Sequence, residues 1–443
     1  MHLHRSALSP LLFSGLLLGC NSPIKIDGQE SGGCVDNGCD AGLVCADMVC
    51  VDPSSTVGGT GRDTDGFDAS SEDGIEPDTG GGVPSASSVS ILVVLDNSGS
   101  MGEEQARFAP AVGELATTLA TAGIDWRIGV TTTDNGNPWC TGTTPEAGSL
   151  RLSSCRSRLE EFVFNGANTV DATETACMSQ CTHNQIEVTP SAAFDGGATQ
   201  PRPWIEYLGG SSNVANGVSI EDALTCAMPQ GVNGCGFEQP LESMYKAILR
   251  SDAVDDNMYG FVPPDALLVV LLVTDEVDCS YNDESIFLPD GARTFWSLPD
   301  EPAPTSAVCW NAGVACAGGM CQSVDLNEFG ESTNPDSGVL RPVSRYVDKL
   351  AEAESAMVVL LGGSDSSGGV LYADSPDQDF VDNFGIGPGC ENGENSAVPP
   401  VRQREVAEAH PLDGGQSLFS VCDASYGRAM DSLGEAIIGR LQP

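Results

Sequence analysis

The segment ALLVVLLVTD, residues 266–275, is an unbroken aliphatic run that closes in Thr-Asp, and it constrains the fold of this chain more than any other feature. A strand with one wet face alternates apolar and polar residues, whereas an unbroken run belongs to a strand covered on both faces, the setting of a parallel sheet. Two further runs, VSILVVLD at 89–96 and AMVVLLGG at 356–363, have the same character, and IDWRIGVTTT supplies another strand ending at Thr133. Helical stripes lie between and after them. Phe108, Val112, Leu115, Leu119 and Ala122 form one, and Leu241, Met244, Ile248 and Leu249 a second. Val339, Val343, Val347 and Leu350 form a third, and Tyr426, Met430, Leu433, Ile437 and Leu441 close the chain. Strand, helix, strand repeated in this way predicts an α/β fold, a mostly parallel, doubly wound sheet flanked by helices.

The regular elements occupy only part of residues 89–443. Three cysteine-bearing stretches of poor periodicity, near 134–218, 281–338 and 365–416, interrupt them as long insertions. Loops of this length in a compact fold carry function or are disordered, and their cysteines favour ordered excursions. Ahead of the domain, residues 53–88 are Gly, Ser, Thr, Asp and Pro with almost no large apolar side chain, which reads as a flexible acidic linker. Within it DTDGFDASSEDG invites comparison with a calcium loop, but an EF-hand needs Gly at its sixth position and Gly66 is fourth from Asp63. Residues 20–52 hold Cys34, Cys39, Cys45 and Cys50, a segment too short for a core and readable as a two-disulfide knot of open connectivity.

Residues 1–19 have Arg5 and then a short apolar stretch from Leu11 to Leu18, too short to span a bilayer and readable as an export signal. Leu17-Leu18-Gly19-Cys20 resembles the bacterial lipobox, which implies acylation of Cys20 as the first mature residue and a lipid as the membrane anchor. Asn21 follows it, and the absence of Asp there implies, by the sorting rule of many bacterial lipoproteins, the outer membrane of the cell envelope. The chain has 17 cysteines, and setting Cys20 aside leaves an even number able to pair in an oxidising compartment. Cys226 and Cys235 bracket a loop and are candidates to staple it; Cys390 and Cys422 are candidates to tie the last insertion to the final helix.

A formal charge of -44, with Lys25, Lys246 and Lys349 the only lysines, argues against nucleic acid as a partner, because phosphate binding relies on Lys and Arg. An acidic surface favours cations instead. The first long strand ends in Asp96-Asn97-Ser98-Gly99-Ser100, where the carboxyl ends of α/β strands place ligands. One carboxylate and two hydroxyls at alternating positions form an oxygen-only set suited to magnesium, with manganese or calcium as alternatives.

Asp-x-Ser-x-Ser after the first strand, together with Thr274-Asp275 after the later one, resembles the metal-ion-dependent adhesion site of von Willebrand factor type A and integrin I domains. The resemblance covers the regular core of 89–443, and the long disulfide-bearing insertions look like those of type A lipoproteins of myxobacteria. It implies that Asp96, Ser98, Ser100 and Asp275 hold a divalent ion, the serines directly and the aspartates often through waters. It also implies a protein or surface ligand that completes the metal shell with an acidic group. The family's third element, a Thr ahead of the helix before the Asp strand, is missing from NGCGFEQPLESM. Glu238 is the candidate replacement, against the plainer role of an acid favoured at a helix N-terminus. Gly-x-Ser-x-Gly, His-Glu-x-x-His and Gly-Lys-Ser/Thr are all absent, so the chain is not expected to be an enzyme. Adhesion or protein interaction is the expected function; a structural protein with a degenerate metal site, and then an extracytoplasmic hydrolase, are the alternatives.

Overall fold

A computed structural model describes residues 44–46, 49–51, 88–166, 169–393 and 395–442. The signal segment, Cys20, the pairing within the cysteine cluster and the linker up to residue 87 lie outside the described residues. The chain divides into two compact units, 1–80 and 81–443. In the first, strands Val44–Ala46 and Val49–Val51 form an antiparallel hairpin with Cys45 opposite Cys50.

The second unit is built on a seven-stranded sheet. Its strands are β1 (Ser88–Leu95), β2 (Trp126–Thr132), β3 (Ile205–Leu208), β4 (Ser211–Ser212), β5 (Ala266–Val273), β6 (Ala356–Gly362) and β7 (Leu418–Ser420). Across the sheet they run β7-β6-β5-β1-β2-β3-β4. The first five in that order are parallel, and β3 and β4 add antiparallel pairs at one edge. From β1 the chain steps outward to β2 and the β3 edge, then crosses back to β5 on the other side of β1. The strand order therefore reverses between β1 and β5. Leu95 is registered with Thr132 on one side and Val273 on the other, so three carboxyl ends lie level.

The unbroken runs are explained by cover on both faces. Every residue of β1, β2 and β5 is buried. Val89, Ile91, Val93 and Leu95 point to one core, shared with α1 (Gly102–Thr121), α2 (Ile220–Ala227) and α6 (Gly427–Leu441). Leu92 and Val94 point to the other, shared with α3 (Pro240–Asp252), α4 (Val343–Ala351) and α5 (Val401–Ala409). Two residues depart from their expected stripes. Leu249 is 42 % exposed, because the face set by Leu241, Met244 and Ile248 turns away from it. Val339 is buried in the loop before the helix, since Pro342 is the N-cap and α4 begins only at Val343.

The insertions hold more of the fold than their periodicity predicts. The stretch 134–218 contributes β3 and β4, and 365–416 contributes α5, whose Val406 and Ala407 enter the core. These were hidden because β4 is two residues long and α5 buries Arg402 and Gln403 alongside its few apolar residues. The 134–218 and 281–338 insertions also have small cores of their own, around Phe162 and Cys177 and around Phe287, Trp296 and Trp310. Disulfides join Cys140–Cys235, Cys155–Cys177, Cys181–Cys226, Cys279–Cys309, Cys316–Cys321 and Cys390–Cys422. Cys390 and Cys422 are partners; Cys226 and Cys235 are not. Cys226, in the last turn of α2, lies inside the Phe162 cluster and reaches Cys181, while Cys235 reaches across to Cys140 in the first insertion. No described helix is long and apolar enough to cross a membrane.

Candidate metal centre

The carboxyl ends of β1, β2 and β5 deliver Asp96, Thr133 and Thr274 side by side. The backbone N–H of Asp96 donates to Val273 O, and that of Thr133 to Leu95 O, so the ladder continues one residue past each strand and sets these side chains on a rigid edge. The chain then turns. Asp96 Oδ1 accepts the N–H of Ser98 at 2.8 Å and Oδ2 accepts the Thr274 hydroxyl at 2.6 Å. The Ser98 and Ser100 hydroxyl oxygens are 3.1 Å apart, and the Ser100 side chain lies close enough to Asp275 to lower its pKa. Asp96, Ser98, Ser100 and Asp275 are therefore brought into one continuous polar cluster. Asp96 and Ser98 are buried, Asp275 nearly so, and Ser100 faces solvent at the mouth.

Two carboxylates this close and this dry resist ionisation together. Burial raises the Asp96 pKa, against the lowering effect of the Thr274 and Ser98 hydrogen bonds. Burial pushes Asp275 well above the ordinary carboxylate range, reinforced by the charges of Asp96, Glu276 and Glu104. Glu276 next to it is pushed up to about 8 by burial and then by Asp96. Among the described residues no ion pair reaches Asp96, Asp275, Glu238 or Glu276. Arg107, on the first turns of α1, is taken by Glu103 and Glu104. Asp275 Oδ1 is buried with no hydrogen-bond partner in the protein. Oxygen-only donors, surplus negative charge and an orphaned carboxylate oxygen fit a hard divalent cation.

Glu238 is fully buried at the same edge, held between Thr133 and the loop after β5: Gln239 N–H donates to Thr133 O, and Cys279 N–H to Glu238 O. Its Oε2 accepts the Thr133 hydroxyl, and its Oε1 has no partner in the protein. Burial raises its pKa well above normal, and the nearest charges adding to that are Asp96 and Glu276. No described group of three or more His, Cys, Asp or Glu side chains is close enough to hold a metal, so the aspartate pair depends on the serine hydroxyls to complete a donor set.

Two orienting roles escaped the sequence reading. Thr274, quoted there only as part of the Thr274-Asp275 motif, orients Asp96, and Thr133, quoted only as a strand end, orients Glu238; each is a polar residue directly after a buried apolar strand, and that placement is the signal that could have found the roles. Disulfides frame the site, since Cys235 lies three residues before Glu238 and Cys279 four after Asp275. The backbone locks it further: Gly234 N–H donates to Asn97 O, and Val398 N–H to Asp275 O. Of the histidines, His183 lies 3.9 Å from Asp222 and His410 bonds the Val347 carbonyl.

No family model and no curated protein matches the chain. Among solved structures it is similar to the pilus adhesin SpaC from Lactobacillus rhamnosus GG, in two crystal structures, one of an open conformation. Identity is 11 % in both, with TM-scores of 0.29 and 0.32, over 80 % of this chain. The chain spans only 30 % of the adhesin's length. Superposition this loose transfers nothing of the adhesin's role.

Proposed function

We propose that the protein is a lipid-anchored envelope protein that binds a partner, not a substrate to be turned over, through a divalent ion of the von Willebrand type A kind. Asp96, Ser98, Ser100 and Asp275 would hold the ion, magnesium by preference. When bound, the ion supplies a Lewis-acidic position to which a partner's carboxylate can add. The chain's own part is to keep that position dry and rigid. Burial of Asp96 and Asp275, the Thr274 hydroxyl on Asp96 and the level ends of β1 and β5 all serve this end. The observation that carries the reading is the orphaned, buried Asp275 Oδ1 beside Asp96, with the Ser98 and Ser100 hydroxyls 3.1 Å apart next to them, at the point where strand order reverses.

A hydrolase is disfavoured because Ser98 bonds Ser100 and Asp96, while neither described histidine is bonded to it. The degenerate structural reading draws on Glu238, which stands where a third loop ligand is expected yet bonds Thr133. Calorimetry of the purified full chain with magnesium and manganese separates the two. Heat with wild type and none with Asp96→Ala, on folded samples, supports the site; no heat with either ion moves the reading to the degenerate one. Glu238→Ala weakens binding as Asp96→Ala does only if Glu238 stands in for the missing Thr. Anchoring is tested by labelled fatty acid, which should enter the wild type and not Cys20→Ser.

A further inference from the structure

The chain carries 63 acidic residues against 19 arginines and lysines, yet four of the basic residues gather on one face. Glu242, Lys246 and Arg250 recur at every fourth position of α3, on one stripe of that helix. Arg341, just ahead of α4, and Arg345, in its first turn, each bring Nε to 3.5 Å from Glu242 Oε2. Glu242 is buried and also accepts the Tyr346 hydroxyl at 3.2 Å, so one carboxylate holds both arginines. Arg345 lies over the Tyr245 ring, 3.7 Å from its centre, and the ring face orients the guanidinium. Burial lowers the Lys246 pKa; of the nearby charges, Glu242 raises it and Arg341, Arg250 and Arg345 lower it, so the four cations lie within one another's fields.

Three of these cations are short of partners. Among the described residues Lys246 makes no hydrogen bond and no ion pair, and the terminal nitrogens of Arg341 and Arg345 donate no hydrogen bond. The other described arginines and Lys349, the buried Arg127 apart, each donate at least one. The unpartnered heads are also reachable. The side chains of Arg341 and Arg345 are 30 % and 29 % exposed, and of the nitrogens in the three heads only Arg345 Nε is both buried and unpartnered. Arg250 is matched by Asp256 at 2.9 Å, and Glu284 acts with Arg341 on Tyr281 from outside the cluster. Three positive heads therefore face one carboxylate. We infer that this face of α3 and α4 is a binding subsite for a phosphate dianion, either free or as the phosphomonoester headgroup of a lipid. Two guanidinium forks and an ammonium offer more donors than the two oxygens of a carboxylate accept. They match the three oxygens of a phosphomonoester and its charge of about −1.5 to −2 at pH 7. Asp256 and Glu284 flank the cluster, so it suits a compact anion and repels an extended polyanion. The subsite shares no residue with the proposed metal centre and does not rest on it.

The test uses the purified full chain in buffer passed over a chelating resin, titrated by calorimetry with inorganic phosphate, glycerol 3-phosphate and acetate in turn. Saturable binding of at least one of the two phosphates is expected, and the tighter of them identifies the source, a free ion or a headgroup ester. Acetate should bind about tenfold more weakly or worse, having one charge and two oxygens. Lys246→Gln should cost about tenfold in phosphate affinity, the worth of one hydrogen bond to a charged group. Its Tm should be unchanged or higher, because the side chain gives up no partner in the protein and leaves the field of three like charges. Arg341→Gln should weaken phosphate by a similar factor on a folded sample. No binding of either phosphate overturns the inference. So does binding that Lys246→Gln leaves unchanged, which places the anion elsewhere, and so does acetate binding as tight as phosphate, which assigns the face to a carboxylate.

Discussion

At the scale of single residues, the centre is a pair of carboxylates kept where neither ionises freely. The sign of the pH dependence follows. For Asp275 the folded-state pKa is raised, so the folded protein holds this proton more tightly than the unfolded chain does. The stability from that proton is present below the unfolded carboxylate range, near pH 4, and is lost as pH rises through the raised value. A cation that replaces the proton should restore it. Magnesium affinity should therefore rise as pH is taken from about 5 to 8, with protons released on binding. Calorimetry in two buffers of different ionisation enthalpy counts them, and a pH-independent heat with no proton release would contradict the assignment. Asp275→Asn should leave the metal-free Tm unchanged or higher, because it removes a buried charge at a shape-conserving cost. It should abolish the magnesium-induced rise in Tm, which for wild type at a hundredfold excess over Kd corresponds to about 2.7 kcal/mol.

At the scale of elements, α3 and α5 are fastened to the sheet edge by one buried carboxylate. Asp278 accepts the N–H of Leu241 in the first turn of α3, its own loop's Ser280 hydroxyl and, at 3.0 Å, Arg402 of α5. Its side chain and that of Arg402 are almost wholly buried. Asp278→Ala should cost about 3–5 kcal/mol, since it strands a buried guanidinium, and denaturant melts with an unchanged m-value would measure it. A loss under about 1 kcal/mol would mean that water reaches Arg402. The element-scale lesson concerns which helices were legible. The α1 and α6 stripes are read directly from apolar spacing, because those helices pack apolar faces on the sheet. The α5 helix was lost inside an insertion because Arg402 and Gln403 share its inner face with Val401, Val406 and Ala407, and polar burial interrupts the hydrophobic period.

At the scale of the whole molecule, the insertions are staples around the carboxyl edge of the sheet. Cys140–Cys235 and Cys279–Cys309 bind the first two insertions to chain within a few residues of Glu238 and Asp275, and loops of this length each gain about 3–5 kcal/mol in the chain-entropy account. Peptide mapping of unreduced protein should recover all six pairs from Cys140 onward, and a Cys226–Cys235 peptide would contradict the fold. Replacing Cys279 and Cys309 together by Ser should lower Tm and weaken magnesium binding more than the same change at Cys316 and Cys321, which closes a hairpin of its own. The sequence alone determined the central strands, most of each helix stripe and the placement of Asp96 and Asp275 at strand ends, because continuous apolar burial and strand-end placement are local properties of the chain. Only the tertiary structure decided that Asp96 and Asp275 meet, that Thr133 and Thr274 orient the acids, and that Cys226 and Cys235 take other partners. Those are contacts between segments far apart in the chain, and no local pattern of residue types encodes which distant segments meet.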